Sequence, residues 1–374
     1  MTITITPDQT REYMLGQCGL RAYREVSPEL TVKTLLEELR CIQLDPLDTI
    51  GANAELVVLA RLNGLKREDI FQQLYPGHAF EHFAKERCLL PPSAFPYYRE
   101  RSIEQPWWRL GGAKKRLTPD IIEAVLDEIR ESGPVTVHSL QGRGNVKSID
   151  WSGWKGTGRA STMALDVLSM QCKVVVCGRS GKDKHYDIPE RALPEVHDLD
   201  TQENFAKWAI VERVEAAGLL SRAGGPWWSM LREARTSGVV EELIEEGKLV
   251  QVCVEGSRRV YLAPPDFLDR TFPEDDEQVK ILGPLDPLIW DRKLTEHIFD
   301  FNYVWEVYKP AEKRLWGWYV CPILYKGQLI ARFEGRVQDG EIVVDNLWKE
   351  KGKRFPKKRW QEALERHARC LIGE

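Results

Sequence analysis

An amide and a carboxylate stand two residues apart at Gln43 and Asp45, immediately before Pro46. A carboxylate can take a proton or balance a developing positive charge, and an amide can orient a water molecule or a polar substrate group. On spacing alone the pair reads equally as the amide at a helix end and an aspartate satisfying backbone groups ahead of a proline. His78 and His82 lie four apart with Glu81 between them, a spacing that on a helix would put both imidazoles on one face. The order is not that of a zincin helix and no third ligand is recognisable, so no metal is expected. A phosphate-cradling glycine loop, a nucleophile elbow with its Ser/His/Asp order and the paired carboxylates of a metal nuclease are all missing. The chemistry to be explained therefore needs no cofactor.

Charge supplies the second class of candidate. The net charge of −4 argues against a protein that coats phosphates with lysine over its whole surface. Its distribution is uneven: Glu274–Glu277 is acidic, whereas Lys349–Arg359 carries seven basic residues against one acid, with Lys353, Arg354, Lys357 and Lys358 among them. Two further basic groups, Arg179, Lys182 and Lys184 in one segment and Arg258 and Arg259 in another, fall in turns between β-forming runs, where they can meet a sugar-phosphate backbone. The tryptophan pairs Trp107/Trp108 and Trp227/Trp228 read first as packing and only second as stacking surfaces for bases. The eight cysteines are scattered, with no Cys-x-x-Cys pair, which fits reduced thiols in the cytoplasm. The opening MTITITPDQT has no basic region followed by an apolar run, and no stretch is long and apolar enough to span a bilayer.

The elements that must position these groups are marked by caps and periodicity. Thr6, Pro7 and Gln9 form a capping box with proline in the first turn, predicting a helix to about Gln17. Thr31 caps a second helix whose Val32, Leu35, Leu36, Leu39 and Ile42 share a face, so that Gln43 and Asp45 are expected where this helix meets a loop. Thr118-Pro119 starts another, with Ile122, Val125, Leu126 and Ile129 as its stripe. A tryptophan-bearing glycine-rich linker, a short helix near 161–170 and the β-runs of "KVVVCGRSGKDKHYDIP" follow. About 75 residues on, helices near 203–217 and 239–246 precede the similar run "KLVQVCVEGSRRVYLAPP". Two helices and then a basic-tipped hairpin, met twice, is the order of a winged helix-turn-helix. Beyond Gly283 the runs "NYVWEVY", "WGWYVCPILY" and "QLIARFEG" predict strands, closed by a helix over 357–372.

"CIQLDPLDTI", then "FEHFAKERCLLP", then "LGPLDPLIWDRKLTEHIFDFNYVWEVYKPAEKRLWGWYVCPIL" together resemble, in order and over nearly the whole chain, the YcaQ/AlkZ-type winged-helix DNA glycosylases. The resemblance implies an α+β, helix-rich fold of three tandem winged-helix units around a curved DNA channel, with a C-terminal β-rich domain. The units would span residues 1–117, 118–198 and 199–275, with the last domain at 276–374. It implies a catalytic Gln-x-Asp, which Gln43 and Asp45 match, and adds Arg292 of the Trp-Asp-Arg string to the DNA contacts. It implies removal of 7-alkylated purines from double-stranded DNA, including those in interstrand crosslinks, by a monomer without a cofactor. Many members carry arginine and histidine where this chain has Ala52, Ala54 and Lys85. The alternative from another class is a winged-helix DNA-binding protein without catalysis, a regulator or a lesion-protection factor.

Overall fold

The computed structural model describes residues 2–104, 112, 116–147 and 156–372. The fold is α+β, and the chain forms two compact units. One consists of Met1–Ile70, Phe83–Cys88 and Ala209–Glu374, the other of Phe71–His82 and Leu89–Trp208. These units are discontinuous in sequence. No helix among the described residues is long and apolar enough to cross a membrane.

In the first unit the helix Pro7–Gln17 begins as its capping box dictates: Gln9 N donates to Thr6 Oγ1 at 3.1 Å and Thr6 N to Gln9 Oε1 at 2.9 Å. Thr31 starts the helix Val32–Leu39, whose Val32, Leu35, Leu36 and Leu39 are all buried. The apolar stripe was expected to carry the helix to Ile42. It stops at Arg40, which takes a positive φ of 60°, so Ile42–Gln43 becomes a short strand. The hairpin Val250–Val254 with Val260–Ala263 gains two partners: Leu220–Ser221 pairs with its second strand, and the N-terminal strand Thr2–Ile5 pairs in parallel with its first. Trp227 and Trp228 are buried beside this sheet, with their indole N–H groups donating to the Ser221 carbonyl.

A second sheet runs as an antiparallel meander through Lys280–Ile281, Cys321–Tyr325, Gln328–Gln338 and Glu341–Lys349. The helix Lys357–Ile372 covers it, placing Trp360, Ala363 and Leu364 against Ile281, Cys321, Ala331 and Phe333, and Ile50 and Leu56 join the same core. Thus the loop after Gln43 is seated against the C-terminal sheet. Arg61 and Asp286, both fully buried, form a bidentate pair at 2.8 and 3.0 Å. Arg61 also donates to the Cys18 and Val57 carbonyls, so its desolvated charge is hydrogen-bonded on several sides.

"NYVWEVY" is not a strand. Residues 302–308 run as coil and turn, because Glu306, buried in their midst, collects amides from further along the chain in place of a neighbouring strand.

In the second unit the helices Phe95–Glu104, Pro119–Ser132 and Ala160–Met170 accompany the hairpin Val175–Ser180 with Asp183–Asp187. An aromatic cluster of Phe80, Phe95, Tyr98 and Phe205 packs edge to face at centroid distances of 5.2–5.6 Å. Arg191 ties the hairpin to the Pro119–Ser132 helix by bonding Asp187 and the Ile129 carbonyl. Trp107 and Trp108 lie outside the described residues.

Candidate active site

Gln43 is 6% exposed, and its surroundings fix it at both ends. Asn53 Nδ2 donates to its backbone carbonyl at 2.8 Å, while Asn53 Oδ1 accepts from Leu285 N at 3.0 Å. Asn53 is fully buried, and a Cβ on Gly283 would lie 2.5 Å from its Oδ1, so glycine at 283 lets this asparagine clamp the motif strand to the 283–287 segment. At the side-chain end Lys85 Nζ donates to Gln43 Oε1 at 2.8 Å. An ammonium has no acceptor. The amide must therefore point its carbonyl at Lys85, and its NH2 group faces the other way.

Lys85 is itself buried, 5.1 Å from the centroid of the Trp290 ring. Burial, aided by the nearby Arg292 guanidinium, lowers its pKa to about 8. Nearby, the Cys41 and Cys88 thiols are hydrogen-bonded to one another, that bond and then burial pushing Cys41 well up.

Asp45 follows two residues on, with Leu44 N bonded to the Arg87 carbonyl at 2.8 Å. Asp45 Oδ1 accepts from Leu47 N at 3.0 Å, the turn-type bond expected of an aspartate before Pro46. Among the described residues no donor meets Oδ2. Burial raises the Asp45 carboxyl above its ordinary value of 3.8, against the Leu47 bond. Around it Glu55 accepts from Ala52 N and Arg67, Asp48 accepts from Gly51 N, and the buried His367 bonds the Ile50 carbonyl at 2.6 Å. Burial depresses His367 to about 4, so it is a neutral imidazole holding the loop.

The cations expected to meet a backbone divide into two sets. Lys182, Arg258, Arg354, Lys357 and Lys358 are exposed. The others are bonded within the protein. Arg179 and Lys184 stand opposite one another in the hairpin register, and both bind the buried carboxylate of Glu81, which separates what would be a repulsive cross-strand pair. Arg259 pairs with Asp291 at 3.3 Å. Arg292 donates to the Ile289 and Pro284 carbonyls and lies 4.4 Å from the Tyr303 ring centroid. Lys353 donates to the Phe299 and Leu329 carbonyls.

His82 sits in the strand Phe80–Phe83 and not on a helix, so the four-residue spacing gives no shared face with His78. Among the described residues no group of three His, Cys, Asp or Glu could hold a metal ion. Asn53 and Glu81 were not recognised as structural clamps in the sequence; their only signal was a polar residue inside an otherwise apolar stretch.

Over residues 36–371 the chain matches the family model described as DNA glycosylase AlkZ-like. Among solved structures it is similar to the Streptomyces sahachiroi DNA glycosylase AlkZ, with a TM-score of 0.61 and 16% identity, over 99% of this chain and 98% of that one.

Proposed function

The chain belongs to the AlkZ-like DNA glycosylase family, and from that premise we propose that it hydrolyses the N-glycosidic bond of 7-alkylated purines in double-stranded DNA, with Gln43 and Asp45 as its catalytic residues. Alkylation at that nitrogen leaves the purine cationic and already a good leaving group, so little general-acid help is needed. What remains is to stabilise a sugar that becomes oxocarbenium-like and to aim a water at its anomeric carbon. An ionised Asp45 does the first through its charge and the second by accepting a proton from the water on Oδ2. Gln43 enters as a donor, because Lys85 holds its carbonyl. Its NH2 group donates to a lone pair of the water, leaving the other lone pair for attack and the protons for Asp45.

The observation that supports this reading is the pair's hydrogen bonding: a carboxylate with one oxygen free of donors among the described residues, two positions from an amide whose carbonyl is held so that its NH2 is left to donate. The proposal extends to a monofunctional reaction that leaves an abasic site, acts without a metal, admits crosslinked purines and proceeds in the cytoplasm by a monomer. It also takes the two helix-then-hairpin segments as winged helices, with the exposed Lys182 and Arg258 at the tips and Arg354, Lys357 and Lys358 contributing phosphate contacts. A bulky or crosslinked lesion is hard to rotate into a pocket, so a channel that holds the damaged duplex serves in place of base flipping.

The test is release of 7-methylguanine from alkylated duplex DNA without added metal, comparing the wild type with Asp45→Asn. Release by the wild type that falls by two or more orders of magnitude in the variant, with duplex binding retained, is the expected result. No release by either, with binding intact, would replace this reading with a non-catalytic DNA-binding protein.

A further inference from the structure

The segment from Val304 to Tyr319 is tied down by carboxylates while Tyr308, Leu315 and Trp318 face solvent. Glu306, 2% exposed, accepts from Leu315 N and Trp316 N at 2.9 and 2.8 Å and from Lys309 Nζ at 2.8 Å. Glu334 accepts from Trp318 N at 2.6 Å and Tyr319 N at 3.0 Å. Gly317 lies between these two grips, where a Cβ would come within 2.4 Å of the Glu334 carboxylate. Trp316 is turned inward, its ring 4.3 Å from the Arg332 guanidinium, which also stacks on Phe301. With the backbone held this way, Tyr308 is 86% exposed, Leu315 74% and Trp318 38%, beside the exposed Lys309 and Lys313.

Single exposed apolar residues need no explanation. Here three of them stand on one loop whose backbone is fixed by two carboxylates, one desolvated, and that fixation leaves Tyr308 and Leu315 largely in solvent and Trp318 partly so. The loop also ends beside the motif. Tyr319 is buried, its hydroxyl 3.4 Å from the Gly51 carbonyl, and burial pushes its phenol up, with the Asp45 and Asp48 carboxylates as lesser contributors. Trp318, the last of the three exposed side chains, is thus one residue from the wall of the Asp45 site.

Aromatic and apolar side chains interleaved with lysines are what an unstacked nucleic-acid base and its flanking phosphates require. We infer that the loop bearing Tyr308, Leu315 and Trp318 is a stacking wedge that enters the duplex at the lesion and covers the bases exposed there, with Lys313 on an adjacent phosphate. This rests on the glycosylase reading of the Asp45 site and adds to it the means by which a disrupted base pair is recognised. Rigidity matters to such a device, since a loop already ordered loses little conformational entropy on insertion.

The experiment uses the full-length protein and a duplex carrying 2-aminopurine opposite a tetrahydrofuran abasic analogue, which cannot be cleaved. Wild type is expected to raise 2-aminopurine fluorescence on binding. The triple variant Tyr308→Ala, Leu315→Ala, Trp318→Ala is expected to lose that response and to bind roughly tenfold or more weakly, at the usual cost of losing a base-stacking aromatic. Asp45→Asn is expected to keep the response. These side chains are exposed, so the triple variant should retain its fold, checked by an unchanged circular dichroism melt. A wild-type response untouched in the triple variant, or duplex binding with no response at all, overturns the wedge. A response that depends on the three side chains in a protein that releases no base supports the wedge and refutes the glycosylase reading alone.

Discussion

Replacing Lys85 by methionine separates positioning from stability. A lysine lowered from 10.5 to about 8 carries a folding penalty of about 3 kcal/mol at neutral pH, at 1.36 kcal/mol per pKa unit. Methionine removes that penalty but leaves the Gln43 carbonyl without its donor, which costs about 1–3 kcal/mol. The two effects nearly cancel. At roughly 2–4 °C per kcal/mol, Lys85→Met should melt within a few degrees of the wild type. Base release should nevertheless fall by about tenfold to a hundredfold in single-turnover assays, because a charge-assisted bond of about 1.5–3 kcal/mol no longer fixes the amide. The pH dependence follows from the direction of the shift. Below about pH 8 the folded protein holds the ammonium and the amide is locked. As pH rises through about 8 the neutral amine can accept as well as donate, the amide can invert, and release by the wild type should decline, while Lys85→Met should show no such limb. Stability moves the opposite way: between about pH 8 and 10.5 the unfolded chain holds a proton that the folded one does not, so the penalty eases as pH rises. Unchanged release in Lys85→Met, or an alkaline decline that persists in it, would refute the orientation argument.

Two other predictions concern carboxylates. Because burial raises Asp45, base release should fall on acidification with a midpoint above the ordinary aspartate value, read from the acid limb of single-turnover rates; a midpoint at or below that value would mean another group governs the limb. Glu81→Gln removes the buried anion between Arg179 and Lys184 and should weaken the Val175–Asp187 hairpin by about 3–5 kcal/mol, the usual consequence of breaking a buried pair. Hydrogen exchange of the hairpin amides measures this, and unaltered protection would show that Glu81 is not its anchor.

What was legible in the sequence was local. The capping box at Thr6 and the cap at Thr31 set helix starts within a few residues of the atoms they satisfy, and the closing helix and both basic hairpins announced themselves by period and turn residues. Elements that depend on distant partners were missed. The strand Thr2–Ile5 exists through pairing with residues nearly 250 positions away, Glu341–Lys349 is not among the runs read as strands, and 302–308 has the alternation of a strand without a neighbour to bond. The site divides in the same way. Gln43 and Asp45 stood out through family resemblance, but the partner that sets the amide's direction lies 42 residues on, at a position where the resemblance led one to expect histidine. Basic residues were legible as charge. Whether each faces water or a buried carboxylate was decided by packing that a linear sequence does not display.

The pair joining Arg61 to Asp286 across 225 residues also sets a timetable. A chain made at about 5–20 residues per second presents that carboxylate roughly 10–45 s after the arginine emerges. Meanwhile Leu89–Trp208, the continuous part of the other compact unit, is complete and free to fold, while the first seventy residues wait with their apolar faces uncovered. Gln43 and Asp45 are therefore synthesised early and organised late. Truncation before Asp286 should leave the motif unassembled, so a nascent or prematurely ended chain cannot present it until Asp286 has been made.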